Sequence, residues 1–183
     1  MLHLSSPRGL SPTGVGPAIM VGQLAFLVVA IVANRQWPEA TRLLGESSLP
    51  LEAAGALWLA GGIALWALTL RRFLRGFPRG ELITSGPYRW CRHPLYASFV
   101  LFVVPGIGLI TQTWTILLAA LAGVAWASAL IPREERAMDQ VFGAAWRDYC
   151  AHTSRLIPFP FTGGRPRAPA AGRRASRRGS AWE

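Results

Sequence analysis

A polar, aromatic stretch lies between two apolar parts of this sequence. It runs Leu82-Ile83-Thr84-Ser85-Gly86-Pro87-Tyr88-Arg89-Trp90-Cys91-Arg92-His93-Pro94-Leu95-Tyr96. Gly86-Pro87 is typical of a turn, and Pro94 is typical of the first residue of a helix, where a missing N–H costs nothing. Pro94 also disfavours helical geometry at His93, which is predicted to lie just outside the helix. We therefore expect a small polar pocket at a membrane surface, around the start of that helix.

The composition indicates an integral membrane protein. Of the 183 residues, 51% are hydrophobic and 15% are charged, and the mean hydropathy is +0.30. The length favours one domain. All 19 basic residues are Arg, which suits anionic lipid headgroups. Cys91 and Cys150 fit no metal-ligand spacing, so the sequence predicts free thiols and no metal site.

Four apolar segments are predicted to cross the bilayer as helices, namely residues 15–34, 53–70, 95–110 and 114–131. A signal peptide is the alternative for the first, but its apolar run is too long and no clear cleavage site follows. The last two segments are joined only by Thr111-Gln112-Thr113, which predicts an antiparallel helical hairpin. Pro105-Gly106 is expected to kink the first arm, with neighbouring helices covering the exposed backbone.

Two rows of small residues predict close helix packing. They are Ala56, Ala60 and Ala64 in the second segment, and Ala119, Gly123 and Ala127 in the fourth.

The distribution of Arg predicts the orientation in the membrane. Residues 1–14 contain one Arg and residues 35–52 contain two, whereas residues 71–94 contain six and residues 133–183 contain ten. Because positive charge concentrates in cytoplasmic loops, both termini are expected in the cytoplasm. We expect a multi-pass protein of a bacterial inner membrane.

Residues 133–149 are predicted to form an amphipathic helix on the cytosolic side. Glu134 and Glu135 flank its apolar stripe on opposite margins, so one or both carboxylates are expected to face the polar stretch. The stripe consists of Met138, Val141, Phe142, Ala145, Trp146 and Tyr149. Residues 1–14 are predicted to be a flexible leader, and residues 162–183 a disordered Arg-rich tail.

Several motifs follow one another in a fixed order over residues 80–160. The stretch from Gly86 to Tyr96 precedes the hairpin, and after it come Glu134-Glu135, Phe142-Gly143, Trp146-Arg147-Asp148-Tyr149 and Arg155-Leu156-Ile157-Pro158. This order resembles the isoprenylcysteine carboxyl methyltransferase and phospholipid methyltransferase family, whose pattern is G-x-Y-x-x-x-R-H-P-x-Y, hairpin, E-E, F-G-x-x-Y-x-x-Y and R-x-x-P. Trp146 stands where a Tyr is usual.

The resemblance implies an all-α membrane methyltransferase domain over residues 15–161, with cofactor motifs in 80–96 and 133–158. It implies S-adenosylmethionine as the cofactor, held by Leu82, Ile83, Tyr88, His93, Pro94, Leu95, Tyr96 and Glu134. Family members that methylate prenylcysteine carry a substrate-binding Arg one turn before the acidic pair, where this sequence has Leu130. The acceptor is therefore expected more broadly to be a small or lipid-like, membrane-partitioned thiol, carboxylate or lipid amine.

A methyl group on a sulfonium is already activated, so the protein mainly needs to align the acceptor. Arg92 is the hypothetical residue for steering an anionic acceptor group, because its charge cannot be lost. The alternative function is a non-enzymatic membrane subunit or transporter-like protein whose basic loop only anchors it to anionic lipid. The absence of charge in the spanning segments argues against transport. No specific nucleic acid partner is expected, and the oligomeric state stays open.

Overall fold

The computed structural model describes residues 14–45 and 47–158, so most of the predicted leader and the whole Arg-rich tail lie outside the described residues. Within them, four helical segments are long and apolar enough to cross a membrane, which confirms the predicted fold class. The helices are α1 (Gly16–Gln36), α2 (Pro38–Thr41), α3 (Leu49–Gly76), α4 (Pro94–Ala97), a π-helical segment (Ser98–Val103), α5 (Val104–Thr111), α6 (Trp114–Phe142) and α7 (Ala144–His152).

Two of the predicted helices have clearly different bounds in the structure, because α6 ends at Phe142 and the second spanning helix is Leu49–Gly76. Residues 133–142 are not the start of a separate amphipathic helix, because α6 continues through Pro132 to Phe142. The chain breaks at Gly143, whose φ of +53° strains any residue with a Cβ atom. The second spanning helix also begins earlier, at Leu49, with Pro50 in its first turn.

The packing face of α3 is a row of small residues seven positions apart. Gly55, Gly62, Thr69 and Gly76 are buried, and a Cβ atom on Gly62 would lie 2.6 Å from the Cβ of Phe102 in the π-helical segment. The predicted row of Ala56, Ala60 and Ala64 is wrong as a packing face within this chain, since these residues are exposed. The absent side chain of glycine allows a closer helix approach than alanine does, and this decided between the two rows.

The predicted small-residue row on α6 is confirmed, because Ala119, Gly123 and Ala127 are all buried. The row packs against Gln23 of α1, which is fully buried. The Gln23 side-chain amide donates a hydrogen bond to the Ala119 carbonyl at 3.2 Å. A Cβ atom on Gly123 would lie 1.6 Å from Gln23 Oε1, so any larger residue there would displace the buried Gln23 side chain.

Pro105 has no backbone N–H, so one hydrogen bond of the helix is missing at this position. Pro105 cannot donate to the carbonyl of Leu101, four residues earlier. The indole N–H of Trp58 in α3 donates to that carbonyl instead, at 2.8 Å. The expectation that a neighbouring helix covers this backbone is therefore confirmed. Instead of a simple kink, a π-helical segment precedes Pro105.

Four helix ends meet at the same face of the membrane domain. They are the beginnings of α1 and α4 and the ends of α3 and α6, as expected for helices that run alternately up and down. The predicted hairpin turn and residues 42–45 after α2 lie at the other face, where Leu43 N–H donates to the Gln112 carbonyl at 2.7 Å. The fold thus brings the polar stretch and the acidic pair to one end.

Replacing Gly62 with Ala should destabilise the protein by about 1–3 kcal/mol, because the added methyl overpacks the contact with Phe102. The adjacent Gly61 is the matched control, since a Cβ atom there meets nothing within 4 Å. The melting temperature in detergent should fall for Gly62→Ala and stay level or rise slightly for Gly61→Ala. Equal melting temperatures for both variants would contradict the packing described for α3.

Candidate functional site

A cavity of about 450 Å³ opens where the four helix ends meet. Its lining contains every site residue predicted from the sequence, namely Leu82, Ile83, Tyr88, Arg92, His93, Pro94, Leu95, Tyr96 and Glu134. The fold therefore brings together residues from a loop, from α4 and from α6, which are up to 52 positions apart. Their individual binding roles stay predictions.

The loop that carries Leu82 and Ile83 folds back onto the end of α3. Gly76, the last member of the buried row on α3, permits this, because a Cβ atom there would lie 2.7 Å from Ile83 Cγ1. Gly80 turns the chain with a φ of +65°. These two glycines place the loop on the cavity wall.

The sequence did not indicate that the start of α1 forms part of this wall. Gly14, Val15 and Gly16 line the cavity. A Cβ atom on Gly14 would lie 3.1 Å from Glu134 Oε2, and one on Gly16 would lie 3.3 Å from the Tyr96 hydroxyl. The pattern Gly14-Val15-Gly16-Pro17 at the start of the first spanning helix is the feature of the sequence that could have indicated this close approach.

The sequence predicted part of the apolar wall of the cavity. Met138, Phe142, Trp146 and Tyr149, four members of the predicted amphipathic stripe, line the cavity although Gly143 divides the stripe between α6 and α7. The opposite side, which the sequence did not indicate, comes from Leu70, Phe73 and Phe77 near the end of α3.

The two adjacent carboxylates have different surroundings, because neighbouring positions on a helix point about 100° apart. Glu134 lines the cavity and accepts a hydrogen bond from the Tyr96 hydroxyl at 2.9 Å. Its Oε1 lies 4.0 Å from His93 Nδ1. Only one of its two oxygens therefore has a hydrogen-bond donor among the described residues.

Glu135 points to the other side of α6 and is surrounded by three basic side chains. Arg155 donates to its carboxylate from Nε at 3.1 Å and from Nη2 at 2.8 Å. Arg92 Nε lies 3.3 Å from it, and His93 Nε2 lies 3.5 Å from it. The last two contacts are electrostatic, because neither nitrogen has a hydrogen-bond partner. Arg92 is thus already paired, with 14% of its side chain exposed.

The segment after α7 holds the polar stretch in place through its backbone. The N–H groups of Arg92 and His93 donate to the carbonyls of Ser154 and Arg155, at 2.9 and 3.2 Å. The Tyr149 hydroxyl donates to the Tyr88 carbonyl at 2.6 Å. His93 is 94% buried and its ring stacks on that of Tyr96, with centroids 5.6 Å apart.

This geometry unites the motifs that gave the family resemblance, and a comparison with protein families agrees. The family model described as phospholipid methyltransferase matches residues 53–145, about half of the chain. The chain belongs to the phospholipid methyltransferase family. Membership places the protein among the membrane methyltransferases.

Two curated relatives are similar to this family member. The nickel-cobalt-cadmium resistance protein NccN of Alcaligenes xylosoxydans xylosoxydans is 29% identical over 140 residues, 72% of this chain and 59% of that protein. The cobalt-zinc-cadmium resistance protein CzcN of Cupriavidus metallidurans is 32% identical over 117 residues, 63% of this chain and 47% of that protein. The chain spans about half the length of these relatives. No solved structure matches it significantly.

Burial raises the pKa of both cysteine thiols of this methyltransferase domain and of the Tyr88 hydroxyl. Burial raises the pKa of the Cys91 thiol to about 12, although a hydrogen bond with the His93 backbone opposes this. Burial also raises the pKa of Cys150, more than the nearby Arg92 lowers it. The pKa of the Tyr88 hydroxyl is raised by burial and then by Glu134. Neither cysteine supplies a thiolate nucleophile.

Alkylation should confirm that Cys91 is inert in the folded protein, because the thiolate is the reactive form and this thiol is fully buried. In a Cys150→Ser variant, maleimide should leave Cys91 unmodified at pH 7.5 in mild detergent and modify it fully after denaturation. Mass spectrometry measures both states. Rapid modification of the folded variant would contradict the burial of this loop.

Substituting Glu135 with Gln should lower the stability of the domain by roughly 2 kcal/mol, because it leaves the Arg92 and Arg155 guanidinium groups close together without the carboxylate they share. The loss is smaller than for a fully buried ion pair, since the Arg155 side chain is 42% exposed. Glu134→Gln is the matched control, because its amide oxygen still accepts from Tyr96. A melting temperature that falls equally in both variants would show that the two carboxylates do not differ in role.

Proposed function

We propose that the protein transfers a methyl group from S-adenosylmethionine to a small or lipid-like acceptor dissolved in the membrane, at the cytosolic face. This proposal rests on one observation. The cavity has a polar end, with Glu134, Tyr96 and His93, and an apolar wall from α3, α6 and α7. A polar cofactor and an apolar acceptor need those two surfaces in a single site.

The residues present fit the cofactor. A volume of about 450 Å³ lies within the range of roughly 300–1,000 Å³ for small-molecule sites. The free oxygen of Glu134 suits the ammonium group of the methionine moiety, and Tyr88, Leu82 and Ile83 suit the adenosine. When bound, the cofactor supplies an activated methyl group on a sulfonium.

The protein's own contribution is then positioning. The rings of His93 and Tyr96 are stacked, and the His93 N–H donates to the Arg155 carbonyl, so the two rings form a rigid wall of the cavity. Holding two reactants in line supplies about 7–11 kcal/mol of the barrier reduction in favourable cases. An anionic acceptor needs no general base, and the site requires none for it.

The acceptor is proposed to enter from the bilayer between α1 and α3. Helix α1 packs chiefly on α6, and α3 packs chiefly on α5 and the π-helical segment, so α1 and α3 make little contact with each other. Both nevertheless line the cavity, through Gly16 and Leu70 for example. The stacked rings of Phe73 and Phe77, 5.0 Å apart, extend the apolar side of this entrance.

The cytosolic placement rests on charge. Arg71, Arg75 and Arg79 are exposed beside the cavity and make no ion pair within the described residues. Cationic side chains at this level favour the cytoplasmic leaflet and its anionic lipids.

The rival function is a non-enzymatic membrane component anchored by these same arginines. The names of the two relatives refer to resistance to heavy metals, and such a component would act beside other resistance proteins. Among residues 14–45 and 47–158, no three His, Cys, Asp or Glu side chains form a group able to hold a metal ion. The cavity and its polar end favour methyl transfer over this rival.

Calorimetric binding of S-adenosylhomocysteine to the detergent-purified protein tests the proposal. The wild type should bind, and Glu134→Gln should weaken binding about 10- to 100-fold, the loss expected for a hydrogen bond to a charged group. Glu39→Gln is the control, since Glu39 is exposed at the opposite face. If the folded, monodisperse wild type did not bind S-adenosylhomocysteine, the proposal would be overturned and the non-enzymatic membrane component would be the remaining function.

A further inference from the structure

The start of α1 is the part of the cavity wall that lies against the Glu134 carboxylate. A Cβ atom on Gly14 would lie 3.1 Å from Glu134 Oε2, which is the oxygen that accepts from Tyr96. One on Gly16 would lie 3.3 Å from the Tyr96 hydroxyl. The backbone of α1 therefore lies against the hydrogen-bonded oxygen, and the position of α1 determines how the carboxylate is presented to a ligand.

Helix α1 depends on α6 for its position, because it packs chiefly on that helix. Within the described part of the chain, three side-chain hydrogen bonds join the two helices, and those made by Thr115 and Gln23 lie further along α1. In the third, the indole N–H of Trp126 donates to the Ala18 carbonyl at 3.0 Å. Ala18 is in the first turn of α1, so this bond holds the end of the helix that lines the cavity.

The sequence of α1 is suited to the contact with Trp126. A Cβ atom on Gly22, one turn after Ala18, would lie 2.2 Å from Trp126 Nε1. Glycine therefore lets the indole lie directly on the α1 backbone, where a larger residue would displace it. Trp126 is not among the described residues that line the cavity. Any effect of this side chain on a ligand must therefore act through the position of α1.

Helix α6 carries both the carboxylate and the indole. Trp126 and Glu134 are separated by about 12 Å along the helix axis, at 1.5 Å per residue. One helix thus holds Glu134 on the cavity wall and also fixes the height at which the start of α1 lies beside it.

We propose that Trp126 is a positioning residue for the cofactor. Its indole N–H holds the start of α1 against Tyr96 and Glu134, and so keeps the free Glu134 oxygen in place for the ammonium group of the methionine moiety. This rests on the proposed function, because it concerns the cofactor end of the same cavity. A wall that is already ordered raises affinity, since the ligand does not have to order it on binding.

Calorimetric binding of S-adenosylhomocysteine to the full chain in mild detergent, well below the melting temperature, tests this inference. Trp126→Phe keeps an aromatic ring but removes the indole N–H. It should weaken binding about 3- to 10-fold, the loss that corresponds to one hydrogen bond between uncharged groups. Deuterium exchange of residues 14–22, followed by mass spectrometry, should become faster in the ligand-free variant, because the start of α1 then opens more often.

Trp114→Phe is the matched control. The indole N–H of Trp114 donates to the Ala40 carbonyl at 2.8 Å, at the opposite face of the membrane domain. This variant should bind S-adenosylhomocysteine as the wild type does, although its melting temperature should also fall. An equal loss of affinity in Trp114→Phe would show that lower stability alone weakens binding, and would overturn the assignment to Trp126.

Gly22→Ala tests the same contact from the other helix. The added methyl group should displace the indole, so binding should weaken as it does in Trp126→Phe. The double variant should lose no more affinity than the more affected single variant, because both changes remove one contact. If the two losses instead multiplied, the residues would act independently and the inference would be overturned.

Two further results would also overturn the inference. One is a Trp126→Phe variant that binds S-adenosylhomocysteine as tightly as the wild type. The other is weaker binding with unchanged deuterium exchange in residues 14–22, because Trp126 would then not act through α1. Failure of the proposed function is a separate outcome, in which the folded wild type does not bind S-adenosylhomocysteine at all and the positioning role is lost with the function.

Discussion

The carboxylate of Glu135 joins three parts of the chain that are far apart in sequence. It lies on α6, contacts Arg92 and His93 of the polar stretch, and receives two hydrogen bonds from Arg155 of the segment after α7. Without this carboxylate, the guanidinium groups of Arg92 and Arg155 would meet at the edge of the cavity with no carboxylate between them. The position of the loop, and with it the shape of the cavity, depends on this cluster.

The consecutive acidic residues explain how one motif serves both structure and function. Adjacent positions on a helix diverge by about 100°, so the first carboxylate enters the cavity while the second faces away from it. Glu135 uses its charge within the protein, on three partners. Glu134 keeps one oxygen without a hydrogen-bond donor, and a free acceptor on a cavity wall is available to a ligand. One carboxylate could not both pair with the three basic side chains on one side of α6 and present a free oxygen to the cavity on the other side.

Lipid tails are as apolar as the side chains of the spanning helices, so the hydrophobic effect does not hold these helices together. Their contacts depend instead on close packing and on hydrogen bonds to the backbone. Three Trp side chains donate their indole N–H to carbonyls of other helices, at distances of 2.8–3.0 Å. The glycine row of α3 lets α5 and the π-helical segment approach. Its last member, Gly76, also supports the site loop, so the packing of the membrane domain and the shape of the cavity are linked.

Sequence patterns were sufficient to predict the four spanning helices and part of the residues that line the cavity. Apolar length predicted four spanning helices, Pro94 marked a helix start, and the order of the motifs indicated which residues would gather around one cavity. The spanning helices and the helix start are local properties, because hydrophobic length and proline geometry are visible within a few turns of the chain. The residues of the site came instead from the resemblance of the ordered motifs to a known family.

Only the tertiary structure decided which partner each of these groups received. Two rows of small residues on α3 could each have formed its packing face, namely Ala56, Ala60 and Ala64, or Gly55 and Gly62. In the folded protein it is the glycine row that packs against the π-helical segment. The same holds for charge. Arg92 is bound by Glu135, whereas Arg133 is left unpaired on the cavity wall, because ion pairs depend on distances of a few ångströms between residues far apart in sequence.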